Sequence, residues 1–185
     1  KSSSFAGTFT AGWTFASTGV TGNGTSAYMN TNYAQVLADT DNQHISIYSR
    51  TDFNGAVADI GVVSGALETN IISRLSNLFY FRMQGANSTT DASSNSLGLF
   101  MANRTSSTIV KGIKNSTINS VSNTSTGIIT SLNIYLGAYN FSGSATAFSP
   151  RQFAFSSIGD GLTDVQATAL YNSVQIMQNT LGRAV

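Results

Sequence analysis

Gly159-Asp160-Gly161-Leu162-Thr163-Asp164-Val165-Gln166 opens the one segment of this chain whose apolar residues recur convincingly at helical spacing. Thr163 precedes Gln166 by three residues, the spacing of a capping box, and Asp164 puts a negative charge in the first turn, where unpaired N–H groups and the helix dipole favour it. Ala167, Leu170, Val174, Met177 and Leu181 then form one apolar stripe, while Gln166, Asn172, Gln175 and Asn179 fall largely outside it and Gly182 supplies a stop. A helix is therefore expected over about 163–181. Its polar face carries no Lys or Arg before Arg183, so it reads as a lid docked on a sheet and not as a membrane-surface helix. The remainder of the chain must supply that sheet.

The upstream sequence has the required character. Short period-2 segments alternate with Gly, Asn, Ser and Thr clusters every 8–12 residues or so, the spacing of a sandwich or barrel. The clearest cover 27–31, 44–50, 57–63, 71–75, 78–83, 97–102, 108–114, 132–139 and 151–158. Alternation assigns faces: Ile45 and Ile47 oppose His44, Ser46, Tyr48 and Arg50; Phe79, Phe81 and Met83 oppose Tyr80 and Arg82; Leu132, Ile134 and Leu136 oppose Asn133, Tyr135 and Tyr139. The first set of each should line the core and the second should face water. The Ser-, Thr- and Asn-rich run between Gly85 and Ser96 reads as a surface loop. The 185 residues suit a single domain with a substantial core.

Only 9% of residues are charged, and the nine basic ones are scattered singly for a net charge of +1. Nucleic-acid binding is disfavoured, because neutralising phosphates needs clustered Lys and Arg. There is no cysteine, hence no disulfide, thiolate nucleophile or Cys-based metal site. No apolar run reaches membrane-spanning length, so no membrane insertion is expected. A chain opening on Lys1 is expected to be the C-terminal module, 1–185, of a longer protein.

Several stretches resemble a known family. Gly12-Trp13-Thr14 with Gly19-Val20-Thr21-Gly22-Asn23-Gly24-Thr25-Ser26-Ala27-Tyr28, then Ser46-Ile47-Tyr48-Ser49-Arg50-Thr51, Asn77-Leu78-Phe79-Tyr80, Asn103-Arg104-Thr105-Ser106-Ser107 and Phe155-Ser156-Ser157-Ile158-Gly159-Asp160-Gly161-Leu162-Thr163-Asp164 resemble the concanavalin A-like (laminin-G-like) jelly-roll modules of tailed-phage structural proteins and secreted Bacteroidetes proteins. The resemblance covers most of the chain and departs at Asn115-Ser116, where related chains often carry an Asn-Gly turn. It implies an all-β, two-sheet antiparallel jelly-roll sandwich with one C-terminal helix, in a virion or at a cell surface. The partners it implies are a cell-surface glycan or other virion proteins, with homo-oligomers formed within a virion assembly.

Catalysis finds little support in the residues. Retaining glycoside hydrolysis needs two carboxyl groups about 5–5.5 Å apart. Glu68 is the sole Glu, without an acidic partner at strand spacing, and Asp59 reads as a hydrogen-bonded aspartate at a half-buried strand position. His44 is the sole His, and no Gly-x-Ser-x-Gly elbow accompanies it. No cofactor is expected. Calcium is the one candidate, on Asp39, Asp41 and Asn42, whose alternating oxygens suit a hard cation, although a plain Asp/Asn turn is the preferred reading.

Two function classes follow: a non-catalytic glycan-binding or receptor-recognition module, and a structural virion decoration or connector domain acting through protein contacts. The residues expected to carry the first are Tyr48, Arg50, Tyr80, Arg82, Tyr135 and Tyr139, whose rings and guanidinium groups suit sugar C–H faces and hydroxyls. Cross-strand pairing is the competing reading for the same side chains.

Overall fold

The computed structural model describes residues 6–85 and 89–185. Among them, two antiparallel sheets pack face to face. Sheet A has the spatial order β1 (Thr8–Phe9), β4 (Met29–Ala34), β13 (Asn133–Leu136), β6 (Ile60–Ser64), β7 (Leu67–Leu75), β8 (Leu78–Gly85) and β9 (Thr90–Ala92). The small hairpin of β14 (Tyr139–Phe141) and β15 (Ser144–Thr146) joins beside β6 through a parallel pairing. Sheet B runs β12 (Thr117–Ser122), β11 (Ile109–Lys114), β10 (Gly98–Arg104), β5 (Gln43–Ser49), β16 (Gln152–Gly159), β3 (Gly19–Gly22) and β2 (Trp13–Ala16). Neighbours such as β5 with β16 and β4 with β13 come from opposite ends of the chain, as the wrapping of a jelly roll requires.

Period-2 alternation places the core as the sequence reading expects. Ile45, Ile47, Phe79, Phe81, Met83, Ile134 and Leu136 are buried between the sheets with Ile60, Val62, Ile71 and Phe100. The rings of Phe79 and Phe100 meet edge-on at 5.1 Å, so a contact across the two sheets adds to simple burial. The Asn115-Ser116 turn does close the β11–β12 hairpin, with Asn115 in the left-handed region at φ 55° and its Oδ1 accepting from the Leu99 N–H (2.9 Å).

Helix α1 (Asp164–Thr180) begins where the capping box places it. The Gln166 N–H donates to Thr163 Oγ1 (3.3 Å) and the Thr163 N–H to Gln166 Oε1 (2.9 Å), a pairing worth about 1 kcal/mol. The helix lies on the outer face of sheet B, where Ala167 and Val174 are buried against Tyr48, Leu99, Met101 and Ile113, with Leu170 packed at the rim and Met177 half-buried. Leu181 departs from the expected stripe and is 55% exposed. The helix has ended by then. The chain turns through Gly182, and Arg183 instead reaches back to the sheet, donating from Nε to Gln178 Oε1 (2.6 Å) and from a terminal nitrogen to the Ala154 carbonyl (3.2 Å).

Two further expectations need correction. The run between Gly85 and Ser96 is not wholly a surface loop: Thr90–Ala92 pairs with β8, and Thr89, Ser93 and Ser96 are buried; residues 86–88 lie outside the described residues. Asp59 is fully buried and ion-paired, with Arg151 donating to its Oδ1 (2.7 Å).

Candidate functional site

The expectation of a wet strand face splits between the two sheets. On sheet B it is overturned for His44, Ser46 and Tyr48, because α1 and the segment leading into it cover that face. Tyr48 is 0% exposed; its hydroxyl donates to Gln175 Oε1 (3.4 Å) and accepts from the Val185 N–H (3.1 Å). Arg50 is half-buried and tethers the C-terminal turn, donating to the Arg183 carbonyl (2.6 Å) and Gln152 Oε1 (2.7 Å). Neither forms a ligand platform.

Sheet A has no helix on its outer face, but only the flanks of that face reach solvent: at its centre Gly61 and Asn70 are buried. The pairings Ile60 with Ile71 and Ile71 with Phe81 define a core-facing row, so the adjacent row Asn30, Tyr135, Gly61, Asn70, Arg82 faces outward across five strands. That row spans about 19 Å, four strand spacings. At Gly61 it is bare backbone, and a Cβ there would stand 2.5 Å from Asn70 Cβ; the row therefore dips between Tyr135 and Arg82. Tyr80 shares the face by alternation with Phe81. Asn140 sits opposite core-facing Val62, which turns Tyr139 and Phe141 outward.

The side chains on this face hold one another. Tyr135 stacks on Tyr28 with centroids 4.4 Å apart and planes 23° off parallel. Arg82 donates to Glu68 Oε2 (2.5 Å) and lies 5.3 Å over the Tyr80 ring. The same Glu68 oxygen accepts from Asn70 Nδ2 (2.7 Å). Burial, chiefly, pushes the Tyr139 phenol well above the usual tyrosine range; Arg82 opposes the shift, while the nearby Glu68 and Asp59 charges add to it. Tyr139 is thus a neutral hydroxyl at neutral pH. Cross-strand pairing is therefore real here, yet Tyr80, Tyr135 and Tyr139 all retain partial exposure, and Phe141 is 50% exposed. Tyr28 and Phe141 were not among the expected site residues. Phe141 was legible as the alternate neighbour of Tyr139; Tyr28 joins only through the pairing of β4 with β13.

No protein-family model and no curated protein matches the chain. The site is accordingly read from its geometry alone.

The Asp39–Asn42 segment is a turn in which Asp39 Oδ2 and Asn42 Oδ1 are engaged, while Asp41 Oδ1 is buried without a hydrogen-bond partner among the described residues. Tyr33 O–H (2.5 Å) and the Val36 N–H (2.7 Å) both donate to Asp39 Oδ2, and the Gly161 N–H donates to Asn42 Oδ1 (3.1 Å). Asp41 takes the left-handed conformation at φ 59° and its N–H donates to Gln84 Oε1 (2.8 Å). Among the described residues no group of three or more His, Cys, Asp or Glu side chains could hold a metal ion. Asp39 is 7% exposed at the mouth of an inter-sheet cleft.

His44 is a further departure from its expected surface position. Its Nδ1 stands 2.7 Å from the Asp160 carbonyl, which only accepts, so Nδ1 carries the proton and Nε2 accepts from the Ser157 hydroxyl (3.0 Å); Ser46 in turn donates to Ser157 Oγ (2.6 Å). A serine donating to a neutral imidazole is the geometry of an activated nucleophile. Here Ser157 pairs with Ser46 across β5 and β16, its hydroxyl is held by both Ser46 and His44, and the relay lies beneath the segment leading to α1. Burial lowers the His44 pKa below its ordinary 6.5. The unfolded chain therefore binds a proton that the folded chain refuses, so stability falls as pH drops below about 6.5, by at most about 1.4 kcal/mol per pH unit. Thermal melts between pH 7.5 and 5 should show that slope, and His44→Gln should remove it.

Proposed function

We propose that the chain is a non-catalytic glycan-binding or receptor-recognition module of the concanavalin A-like type, borne on a virion or cell surface, and that its ligand lies on the outer face of sheet A. The observation that carries this reading is the outward row from Tyr135 across Gly61 to Arg82, flanked by Tyr80, Tyr139 and Phe141, on the face that α1 leaves uncovered. Half-exposed rings there offer flat apolar surfaces to pyranose C–H groups. Arg82 and Glu68, both partly exposed, supply polar edges already fixed by each other and by the buried Asn70, so little side-chain entropy is lost on binding.

The carboxylates support a binding role over hydrolysis. Glu68 is engaged by Arg82 and Asn70, and Asp59 is turned into the core onto Arg151, Ser149 and the Ser73 N–H. Glu68 and Asp59 do not present a pair of free carboxyl groups to one cleft, and Asp39, which lines a cleft with Asp160, is held by the Tyr33 hydroxyl and the Val36 N–H.

A glycan array followed by calorimetry tests the reading. Tyr80→Ala and Tyr135→Ala should each weaken binding about tenfold or more, a stacking contribution of about 1.4 kcal/mol or above, while circular dichroism and the melting temperature report an intact fold. Retention of binding in both variants, or binding only to a protein partner, would overturn the glycan site and favour the structural connector role.

A further inference from the structure

By its place in sheet B, β16 is an interior strand, yet among the described residues its outer edge is paired only at Gln152 and Phe153, opposite Thr21 and Val20. The β2–β3 hairpin turns back immediately afterwards. Gly19, at φ 143°, lies where a Cβ would come within 2.5 Å of the Phe153 carbonyl, so this turn presses on β16 just as the pairing ends. Residues 154–159 then run on about 20 Å with β5 on one side only. All six are half-buried, whereas every residue of β5 is buried. Backbone N–H and C=O groups on an open strand edge are a template for another strand.

Two clefts follow this edge between the sheets and share Ser156. The first, of about 380 Å³, is lined by Met29, Tyr33, Asp39, Ile158 and Asp160; the second, of about 320 Å³, by Val20, Leu136, Phe153 and Arg183. The floor is thus apolar and the ends are opposite in charge. Among the described residues neither Asp160 nor Arg183 takes part in an ion pair.

We infer that this edge binds an extended peptide segment from a partner protein by strand addition, antiparallel to β16, with a basic amino end at Asp39 and Asp160 and an acidic or carboxyl end at Arg183. Main-chain hydrogen bonds to 155–159 provide the affinity, and alternate side chains entering the clefts provide selectivity. The charges set the direction, because β16 itself runs from the Arg183 end to Asp160. A slot between two sheets admits a single extended segment more readily than a folded sandwich, which favours a peptide over a second copy of the chain. The inference stands apart from the glycan reading, which concerns the opposite side of sheet A.

The probe is a fluorescein-labelled hexapeptide of alternating valine and threonine with lysine at its amino end and aspartate at its carboxyl end, followed by anisotropy and by amide hydrogen exchange of the protein. Saturable binding with slowed exchange at 155–159 is expected. Asp160→Lys, or a peptide with its two charges exchanged, should weaken binding at least fivefold, and Tyr80→Ala should leave it unchanged. The proposal fails if binding is not saturable, if both peptides bind equally, or if protection appears elsewhere. It fails equally if the protein sediments as a dimer with 155–159 already protected, which would assign the edge to a second copy.

Discussion

Arg151→Met should lower the free energy of unfolding by about 3–5 kcal/mol, equivalent to a fall of roughly 6–20 °C in melting temperature for a domain of this size. Arg151 and Asp59 side chains are both 0% exposed, and removing the guanidinium would leave Asp59 charged in the core with only the Ser73 N–H (2.7 Å) and Ser149 hydroxyl (3.1 Å). The loss extends beyond the pair. Arg151 also donates to the Phe53 carbonyl (2.7 Å) and the Arg74 carbonyl (3.1 Å), pinning the segment after β5 to the edge of β7. Combining Arg151→Met with Asp59→Leu should recover much of the stability, since replacing both members of a buried pair by apolar groups is often neutral. Urea unfolding of the wild type, both single variants and the double variant gives the coupling directly. A single variant at wild-type stability would mean that the pair is hydrated.

Much of this fold was legible in the sequence, for reasons that particular residues make clear. Ile45 with Ile47, and Phe79 with Phe81 and Met83, alternate with polar neighbours, and a pleated strand can satisfy that pattern only by turning them inward. Thr163 and Gln166 fix the helix start by hydrogen bonds made within one turn, which depend on nothing distant. What local pattern does not contain is the identity of the face that α1 covers. Tyr48 alternates with Ile47 whether or not a helix lies above it. The relevant signal was non-local: Leu99-Phe100-Met101 is an unbroken apolar run, the mark of a strand buried on both faces, and β10 pairs with β5. Reading that run as double-sided would have moved the candidate site from Tyr48 to the outer face of sheet A.

Scattered arginines misled in a related way. In a chain with few charges, Arg82 and Arg50 read as wet-face residues, and alternation gives no warning that Glu68 lies across the strand or that Arg183 returns from the chain end. These partners are separated by 14 and 133 residues. The β7–β8 pairing brings the first pair together, and the docking of α1 on sheet B the second. The same holds for the open edge of β16: its sequence reads like any half-buried strand, and the gap beside it arises from where the β2–β3 hairpin turns.

Arg104→Met is expected to cost about 3–6 kcal/mol, through hydrogen bonding and not through a lost ion pair. Arg104 is 0% exposed, and burial lowers its pKa below the ordinary arginine range, with the Asp41 charge opposing that shift. Its guanidinium is satisfied by oxygens that bear no charge. Nε and one terminal nitrogen donate to the Met83 carbonyl (3.0 and 2.8 Å), that terminal nitrogen also donates to Asn123 Oδ1 (2.7 Å), and the other terminal nitrogen donates to the Ser106 carbonyl (3.1 Å) and the Asn123 carbonyl (2.9 Å). Met83 belongs to β8 in sheet A and Asn123 follows β12 in sheet B, so this one side chain ties the two sheets together beyond the apolar core. Methionine would strand several buried acceptors at about 1–3 kcal/mol each, with relaxation and water entry at the Ser106 end recovering part of the sum. Arg104→Lys separates charge from geometry. A single ammonium keeps the positive charge but lacks the planar fork that serves Met83 and Asn123 at once, so it should retain less than half of the lost stability. Urea unfolding of both variants, with amide exchange at Gln84 and Gly85, tests the point: a lysine variant as stable as the wild type would show that the charge, and not the fork, holds the sheets at this edge.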